Sequence, residues 1–139
     1  CFGYGPWLEE VWFNYIGNAI LYGGRPAKVI ISSVVEANQV CYWVTDNGYG
    51  MDYDLAEHIF EPFYRINHYQ NRGNGLGLSI AKKIVERLDG CVGLRTKLGL
   101  GSSFFFTLPY IHAEKQLKPQ KQMADVERRL QYRHDWQFE

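Results

Sequence analysis

The sequence lacks any long hydrophobic run and any excess of one charge. Apolar stretches such as residues 41–44 and 104–106 are far shorter than the roughly 20 residues of a membrane-spanning helix, and no charged-then-apolar leader opens the chain. The 15 basic and 15 acidic side chains give a formal net charge of +0. Because no global field favours nucleic acid or an anionic membrane, we expect a soluble domain that contacts neither and binds anions only locally.

Cysteine is also scarce. Cys1, Cys41 and Cys91 are odd in number and widely spaced, which fits neither a disulfide framework nor a zinc cluster. We interpret them as reduced thiols of a cytoplasmic protein, with Cys41 and Cys91 as small core residues. A parent protein that is anchored in a membrane is compatible with this interpretation.

What the chain does have is enough apolar material for one compact core: 46% of its 139 residues are hydrophobic and 16% are aromatic. Apolar residues at steps of three and four predict helices over residues 7–22 and 80–88, and a short helical stretch ends near residue 59. Residues 28–35, 40–45, 91–96 and 103–108 are rich in β-branched and aromatic residues, which predicts four strands.

The strands come in pairs of hairpin spacing, with helices between the pairs. This order favours a two-layer α/β (α+β) sandwich, in which helices cover one face of a mixed, largely antiparallel sheet, over a doubly wound Rossmann fold. We assign residues 1–109 to this domain. Residues 110–139 form a polar C-terminal tail in which Met123, Val126 and Leu130 could make one helical stripe, either as a docking helix or as the start of a linker.

Two glycine-bearing segments stand out, DNGYG at residues 46–50 and GNGLG at residues 73–77. Glycine lets a backbone approach a ligand closely, and the second segment precedes a predicted helix, whose first amides could bind phosphate. No Gly-Lys-Ser/Thr follows, so this is not a Walker A loop. A tight turn without a ligand is an equally simple explanation of this segment alone.

Asn14 and Asn18 lie one turn apart on the first predicted helix, so that their amides project from one face. They are either satisfied polar residues at the edge of the core or oxygen ligands of a hard cation such as Mg²⁺, which also bridges nucleotide phosphates.

Five segments in this order resemble the motifs of histidine kinases. Residues 14–19 (NYIGNA) resemble the N box, residues 46–50 the G1 box and residues 59–65 (IFEPFYR) the F box. Residues 73–78 (GNGLGL) resemble the G2 box and residues 99–104 (GLGSSF) the G3 pattern. The resemblance covers roughly residues 7–109, and the order and spacing of the five motifs are far more specific than any one of them.

This resemblance implies the Bergerat ATP-binding fold, which gyrase, heat-shock chaperones and mismatch-repair ATPases share; the F box is typical of the kinases. It implies that Asp46 accepts a hydrogen bond from the adenine amino group, that Asn18 coordinates Mg²⁺ and that residues 66–74 form a lid. The nucleotide-binding residues that it implies are Asn14, Asn18, Tyr22, Asp46, Gly48, Gly50, Ile59, Tyr64, Arg65, Gly73, Gly75, Leu76, Gly77 and Leu78.

The implied activity is that of a sensor histidine kinase, which transfers the γ-phosphoryl group of Mg-ATP to a histidine on a dimerisation domain; a response regulator then receives the phosphoryl group. Asn14, Asn18 and Arg65 are the expected catalytic residues. In hydrolysing relatives, the position of Asn14 holds a glutamate that activates water. An asparagine cannot take a proton at neutral pH, so water attack is not promoted.

The chain departs from the family at one site position, where Leu21 replaces the usual lysine and one phosphate contact is lost unless Arg65, Arg72 or another cation substitutes. His58, His68, His112 and His134 lie near the F box, in the lid and in the tail, so we exclude all four as phospho-acceptors. The acceptor histidine is expected on a dimerisation domain, which belongs either to another segment of the same protein or to a partner chain. Two alternatives are a degenerate nucleotide-binding interaction module without kinase activity and a serine kinase of the anti-sigma type.

Overall fold

A computed structural model describes residues 4–64 and 75–110 of the chain. The elements in chain order are α1 (Gly5–Tyr22), β1 (Val29–Glu36), β2 (Gln39–Asp46), α2 (Tyr53–His58), α3 (Gly77–Arg87), β3 (Val92–Lys97) and β4 (Gly101–Pro109). The predicted lid at residues 66–74 and nearly all of the predicted tail lie outside the described residues. Within the described part, no helix is long and apolar enough to cross a membrane.

The four strands form one open sheet in the order β1-β2-β4-β3. All three ladders are antiparallel, and β1 and β2 pair along their whole length, from Val29 opposite Asp46 to Glu36 opposite Gln39. This arrangement confirms the predicted two-layer α/β fold. Because β2 and β4 are antiparallel, the end of β2 at Asp46 lies beside the start of β4, which brings the DNGYG segment next to the GLGSSF segment.

One face of the sheet packs against α1 and α3. Val11, Tyr15 and Ala19 follow one another every four residues along α1 and are fully buried. Phe106 of β4 is the centre of this core, with its ring 5.0 Å from Trp12, 5.7 Å from Tyr15 and 5.1 Å from Tyr42. Each such side chain contributes about 1.5–3 kcal/mol when it is removed from water, so this core fixes α1, and the residues that α1 carries, over the sheet.

Helix α1 starts and stops where local chemistry allows it. Pro6 stands in its first turn, where the missing N–H would have no partner inside the helix. The helix ends at Tyr22, and Gly23 is extended. A side chain at Gly23 would collide with the carbonyl oxygen of Ala19, which explains why only glycine fits directly after this helix.

Of the two cysteines that the structure describes, one is buried and one is exposed. Cys41 of β2 is buried, and desolvation raises the pKa of its thiol to about 11, so it stays protonated at neutral pH. Cys91 is exposed, and the prediction that it is a core residue is wrong. It precedes β3 at the end of the sheet, where its N–H donates to the Thr107 hydroxyl and the side chain remains accessible.

Candidate functional site

A deep cleft opens between the helical layer and one end of the sheet. Its volume is about 1270 Å³, which is large enough for a nucleoside triphosphate. Its walls are formed by α1 with the connection after it, the end of β2 with the turn after it, the segment that carries Ile59 and Tyr64, the start of α3 and the start of β4. The described residues that line it include Glu10, Asn14, Asn18, Leu21, Tyr22, Arg25, Asp46, Asn47, Gly48, Tyr49, Gly50, Met51, Ile59, Tyr64, Gly75, Leu76, Gly77, Leu78, Ser102 and Phe104.

Asp46 is the buried carboxylate of the cleft, with only 6% of its surface exposed. Its Oδ1 atom accepts hydrogen bonds from the backbone N–H of Gly48 at 2.8 Å and of Ser102 at 3.2 Å. Both bonds end on the same oxygen, and in the described part of the chain Oδ2 has no such bond. Asp46 therefore presents a fixed acceptor that can meet a hydrogen-bond donor of a ligand.

Glycines allow the backbones around Asp46 to approach one another. A methyl group on Gly48 would collide with the carbonyl oxygen of Tyr22, so the turn after β2 lies directly against the end of α1. Gly50 has a φ of +65°, and a side chain there would collide with the carbonyl oxygen of Lys97. Both conditions favour glycine, and they explain two of the glycines in the DNGYG segment.

The amide of Asn14 is oriented by the preceding turn of α1. Its Nδ2 donates to the backbone oxygen of Glu10 at 2.8 Å and to Glu10 Oε1 at 3.1 Å. The amide oxygen then faces α3, because a methyl group on Gly77 would collide with Asn14 Oδ1. Asn14 therefore offers an oxygen ligand at the start of α3.

The first turn of α3 forms the opposite wall at this end of the cleft. Gly75 has a φ of +68°, and its carbonyl accepts the N–H of Phe63 at 2.9 Å, which ties the F-box segment to the start of the helix. Ile80 is the first residue whose N–H bonds back into this turn, to Leu76. The amides before it point out of the helix start and can donate to an anion.

Few basic side chains line the cleft. Among the described lining residues, Arg25 is the only lysine, arginine or histidine; Leu21 also lines the cleft, where the family lysine would stand. The described residues contain no group of three or more His, Cys, Asp or Glu that could hold a metal by itself. Asn14 and Asn18 do supply amide oxygens, which suits Mg²⁺ because this ion keeps several waters and binds nucleotide phosphates directly.

All of the expected site residues in the described part of the chain line this one cleft: Asn14, Asn18, Tyr22, Asp46, Gly48, Gly50, Ile59, Tyr64, Gly75, Leu76, Gly77 and Leu78. Arg65 and Gly73 lie outside the described residues, as does Arg72. Their assignment stays a prediction.

Several cleft residues were missed by the sequence reasoning. Glu10 precedes Asn14 by one turn, and the same spacing rule that paired Asn14 with Asn18 could have identified it. Ser102 lies inside the G3 segment, but nothing in the sequence shows that its N–H bonds to Asp46. Arg25 and Asn47 give no local signal, because they reach the cleft only through the fold.

Comparison with known proteins agrees with this geometry. Residues 3–112 match the family described as histidine kinase-, DNA gyrase B- and HSP90-like ATPase. The chain belongs to this family, whose members bind ATP. Within it, the motifs and the relatives identify a catalytic, ATP-binding domain of the sensor histidine kinase type.

Among the relatives is the signal transduction histidine-protein kinase ArlS of Staphylococcus aureus, which is 32% identical over 100 residues, 70% of this chain and 22% of ArlS. This chain therefore spans about a fifth of the curated relatives that it matches. The catalytic domain of histidine kinase ThkA superposes with a TM-score of 0.66 at 30% identity, over 77% of this chain and 69% of that one.

Two further solved structures are similar. Full-length ShkA in complex with AMPPNP has a TM-score of 0.66 and 30% identity, over 77% of this chain and 22% of that one. The mycobacterial sensor histidine kinase MprB has a TM-score of 0.71 over 78% of this chain and 75% of that one; at 23% identity it supports the fold alone.

Proposed function

We propose that this chain binds Mg-ATP in the cleft and transfers the γ-phosphoryl group to a histidine on a separate dimerisation domain, of its own protein or of a partner chain. The observation that carries the proposal is the arrangement of Asp46, a buried carboxylate with one oxygen held by two backbone amides and the other left to the cleft. Such an acceptor is suited to a neutral donor such as the adenine amino group. A response regulator would receive the phosphoryl group afterwards.

The adenine ring binds at the Asp46 end of the cleft. In this proposal Gly50 lies beneath the base, and Tyr22 and Ile59 pack around it; all three line the cleft. The specificity comes from Asp46, because a base without a donor at that position would leave the buried carboxylate without a partner, at a cost of about 1–3 kcal/mol.

The triphosphate binds between α1 and the start of α3. The amides of the first turn of α3 donate to phosphate oxygens, and Asn18 with Asn14 holds Mg²⁺ through amide oxygens. Bound Mg²⁺ neutralises charge on the phosphates during transfer. Tyr64, Gly75 and Gly77 line this side of the cleft, and the motifs alone assign Arg65 and Gly73 to the phosphates.

Transfer to a protein side chain, rather than hydrolysis, follows from Asn14, which has no proton-accepting group at neutral pH. The cleft does contain a carboxylate one turn earlier, Glu10, and its Oε1 accepts a hydrogen bond from Asn14. Because Asn14 itself cannot accept a proton, we expect slow hydrolysis of ATP at most. Replacing Glu10 by glutamine tests whether any residual ATPase activity depends on that carboxylate.

The alternative is a degenerate module in which ATP only sets a conformation. Leu21 supports it, because the cleft has lost one cation. The combination of Asn14, Asn18, Asp46 and the G2 glycines favours the kinase.

We assign the tail at residues 110–139 to a segment separate from the catalytic domain. A membrane anchor in the parent protein is compatible with the proposal, because this domain itself would not contact the membrane.

The test is transfer from [γ-³²P]ATP to a panel of isolated histidine kinase dimerisation domains. The proposal predicts an acid-labile, alkali-stable label on the acceptor histidine, which disappears when that histidine is glutamine and when Asn18 is alanine. ATP binding without transfer to any acceptor would favour the degenerate module.

A further inference from the structure

Asn47, which is not among the expected site residues, holds the connection between α1 and β1 by hydrogen bonds. Asn47 Oδ1 accepts the backbone N–H of Gly24 at 3.0 Å and of Lys28 at 2.8 Å. Its Nδ2 donates to the backbone oxygen of Pro26 at 3.0 Å. Both lone pairs of the oxygen and one proton of the nitrogen are used, so a single exposed side chain organises the whole of residues 23–28.

The connection that Asn47 holds is also a wall of the cleft. Tyr22, Gly23, Gly24 and Arg25 all line the cleft, and Asn47 follows Asp46 directly in the chain. The contact is close, since a methyl group on Gly24 would lie 2.7 Å from the backbone oxygen of Asn47 and 2.9 Å from its Nδ2. Asn47 therefore helps to set the distance between Asp46 and this wall, together with the close approach of Gly48 to Tyr22.

We infer that Asn47 is a positioning residue of the nucleotide site, which holds the wall formed by residues 22–25 at the spacing that a purine bound to Asp46 requires. The inference rests on the proposed ATP site. It assigns no contact between Asn47 and the nucleotide; the side chain acts through Tyr22 and Arg25. Asparagine suits this role because the three bonds need an acceptor and a donor on one planar group.

The competing explanation is that Asn47 only adds stability. A role in stability alone would change nucleotide affinity only as far as it changes the fraction of folded protein. A positioning role changes affinity in fully folded protein, and the change is accompanied by local opening of the connection. Amide exchange separates the two, because the N–H groups of Gly24 and Lys28 report on this connection while those of Val44 and Phe104 report on the sheet.

The experiment compares wild type, Asn47→Ala, Asn47→Asp and the matched control Asn38→Ala, in which an exposed asparagine of the β1–β2 turn is replaced. ATP binding is measured by calorimetry and amide exchange by NMR, well below the unfolding temperature. We expect Asn47→Ala to weaken ATP binding about tenfold, because binding must then order the connection that Asn47 no longer holds. Exchange should accelerate at Gly24 and Lys28 and stay unchanged at Val44 and Phe104.

Asn47→Asp keeps an acceptor for both amides and loses the donation to Pro26, so we expect intermediate affinity with Gly24 and Lys28 again protected. Asn38→Ala should match wild type. Wild-type affinity in Asn47→Ala with Gly24 and Lys28 exposed to exchange would overturn the inference, as would equal acceleration throughout the sheet. Those results leave the proposed function intact; absence of ATP binding by the wild type would instead remove both.

Discussion

Asp46 and Ser102 meet across the paired ends of β2 and β4, where the Ser102 backbone N–H donates to Asp46 Oδ1 at 3.2 Å. This bond joins the G1 segment to the G3 segment, which are 56 residues apart in the chain. Together with the bond from Gly48, it fixes the rotation of the carboxylate. The carboxylate that we propose as the acceptor for the base is therefore oriented before any ligand binds.

The first prediction concerns that carboxylate. Asp46→Asn retains an oxygen that can accept from Gly48 and Ser102 but turns an NH₂ group toward the cleft, where it faces the adenine amino donor. We expect ATP affinity to fall about 10- to 100-fold with a small change in unfolding temperature. Calorimetry and thermal unfolding measure the two. Asp52→Asn, at the exposed start of α2, is the matched control; wild-type affinity in the Asp46 variant would contradict the assignment.

The second prediction uses two glycines of helices. Gly77→Ala would push the Asn14 amide out of place, because its methyl group collides with Oδ1 of that side chain. Gly17→Ala meets no atom within 4 Å on α1 and should stabilise the helix by about 0.5–1 kcal/mol. We expect Gly77→Ala to weaken Mg-ATP binding without lowering the unfolding temperature much, and Gly17→Ala to raise that temperature with unchanged binding. Equal affinities for Mg-ATP would argue against a role of Asn14.

The third prediction concerns Arg25, the only cation among the described cleft residues. Arg25→Gln should weaken binding of ATP by a few-fold, as expected for one exposed charge that contributes about 0.2–1 kcal/mol. AMP should be affected less, because it carries fewer charges. The difference should vanish at about 1 M salt, where the screening length is roughly 3 Å. Lys28→Gln, on the same connection but outside the cleft lining, is the control, and an equal effect there would show a general field instead.

The fourth prediction concerns the start of the F box. His58 Nδ1–H donates a hydrogen bond to Glu61 Oε1 at 2.7 Å; this bond raises the pKa of His58, and the negative charge of Glu61 adds to the shift. Because the pKa of His58 is raised in the folded state, the contact with Glu61 stabilises the folded protein fully below the pKa of an unfolded histidine, about 6.5. This stabilisation is lost as the pH rises through the pKa of His58 in the folded protein. Histidine NMR titration should show a lower pKa in Glu61→Gln, and a smaller decrease in Glu57→Gln. An unchanged His58 pKa in Glu61→Gln would contradict the contact.

The fold could be predicted largely from local patterns. Residues with a period of four, such as Val11, Tyr15 and Ala19, identified α1, and the hairpin spacing identified β1 with β2. The ends of strands were less accurate: β4 begins at Gly101 rather than Ser103 because Lys97 pairs with Gly101 across the tight turn. A glycine carries little strand preference, so this pairing is visible only in the sheet.

The sequence predicted those cleft residues that belong to a recognisable motif. It did not predict the residues that support the site only through tertiary contacts. Asp46 belongs to a recognisable segment, and its position at the end of a strand follows from the pattern. The bonds from Asn47 to Gly24, Pro26 and Lys28 join segments about 20 residues apart, and no local preference encodes them. Cys91 shows the opposite error: a small apolar residue beside a strand predicts a core position, but the sheet ends there and Cys91 is exposed.

The most direct test of the central claim is calorimetry of ATP binding with and without Mg²⁺, on wild type, Asp46→Ala and Asn18→Ala. We predict wild-type affinity in the range of about 1 μM to 1 mM, affinity of Asp46→Ala that is about 10- to 100-fold weaker, and binding to Asn18→Ala that no longer responds to Mg²⁺. Absence of binding by the wild type, or equal binding by Asp46→Ala, would contradict the assignment of this cleft as the nucleotide site.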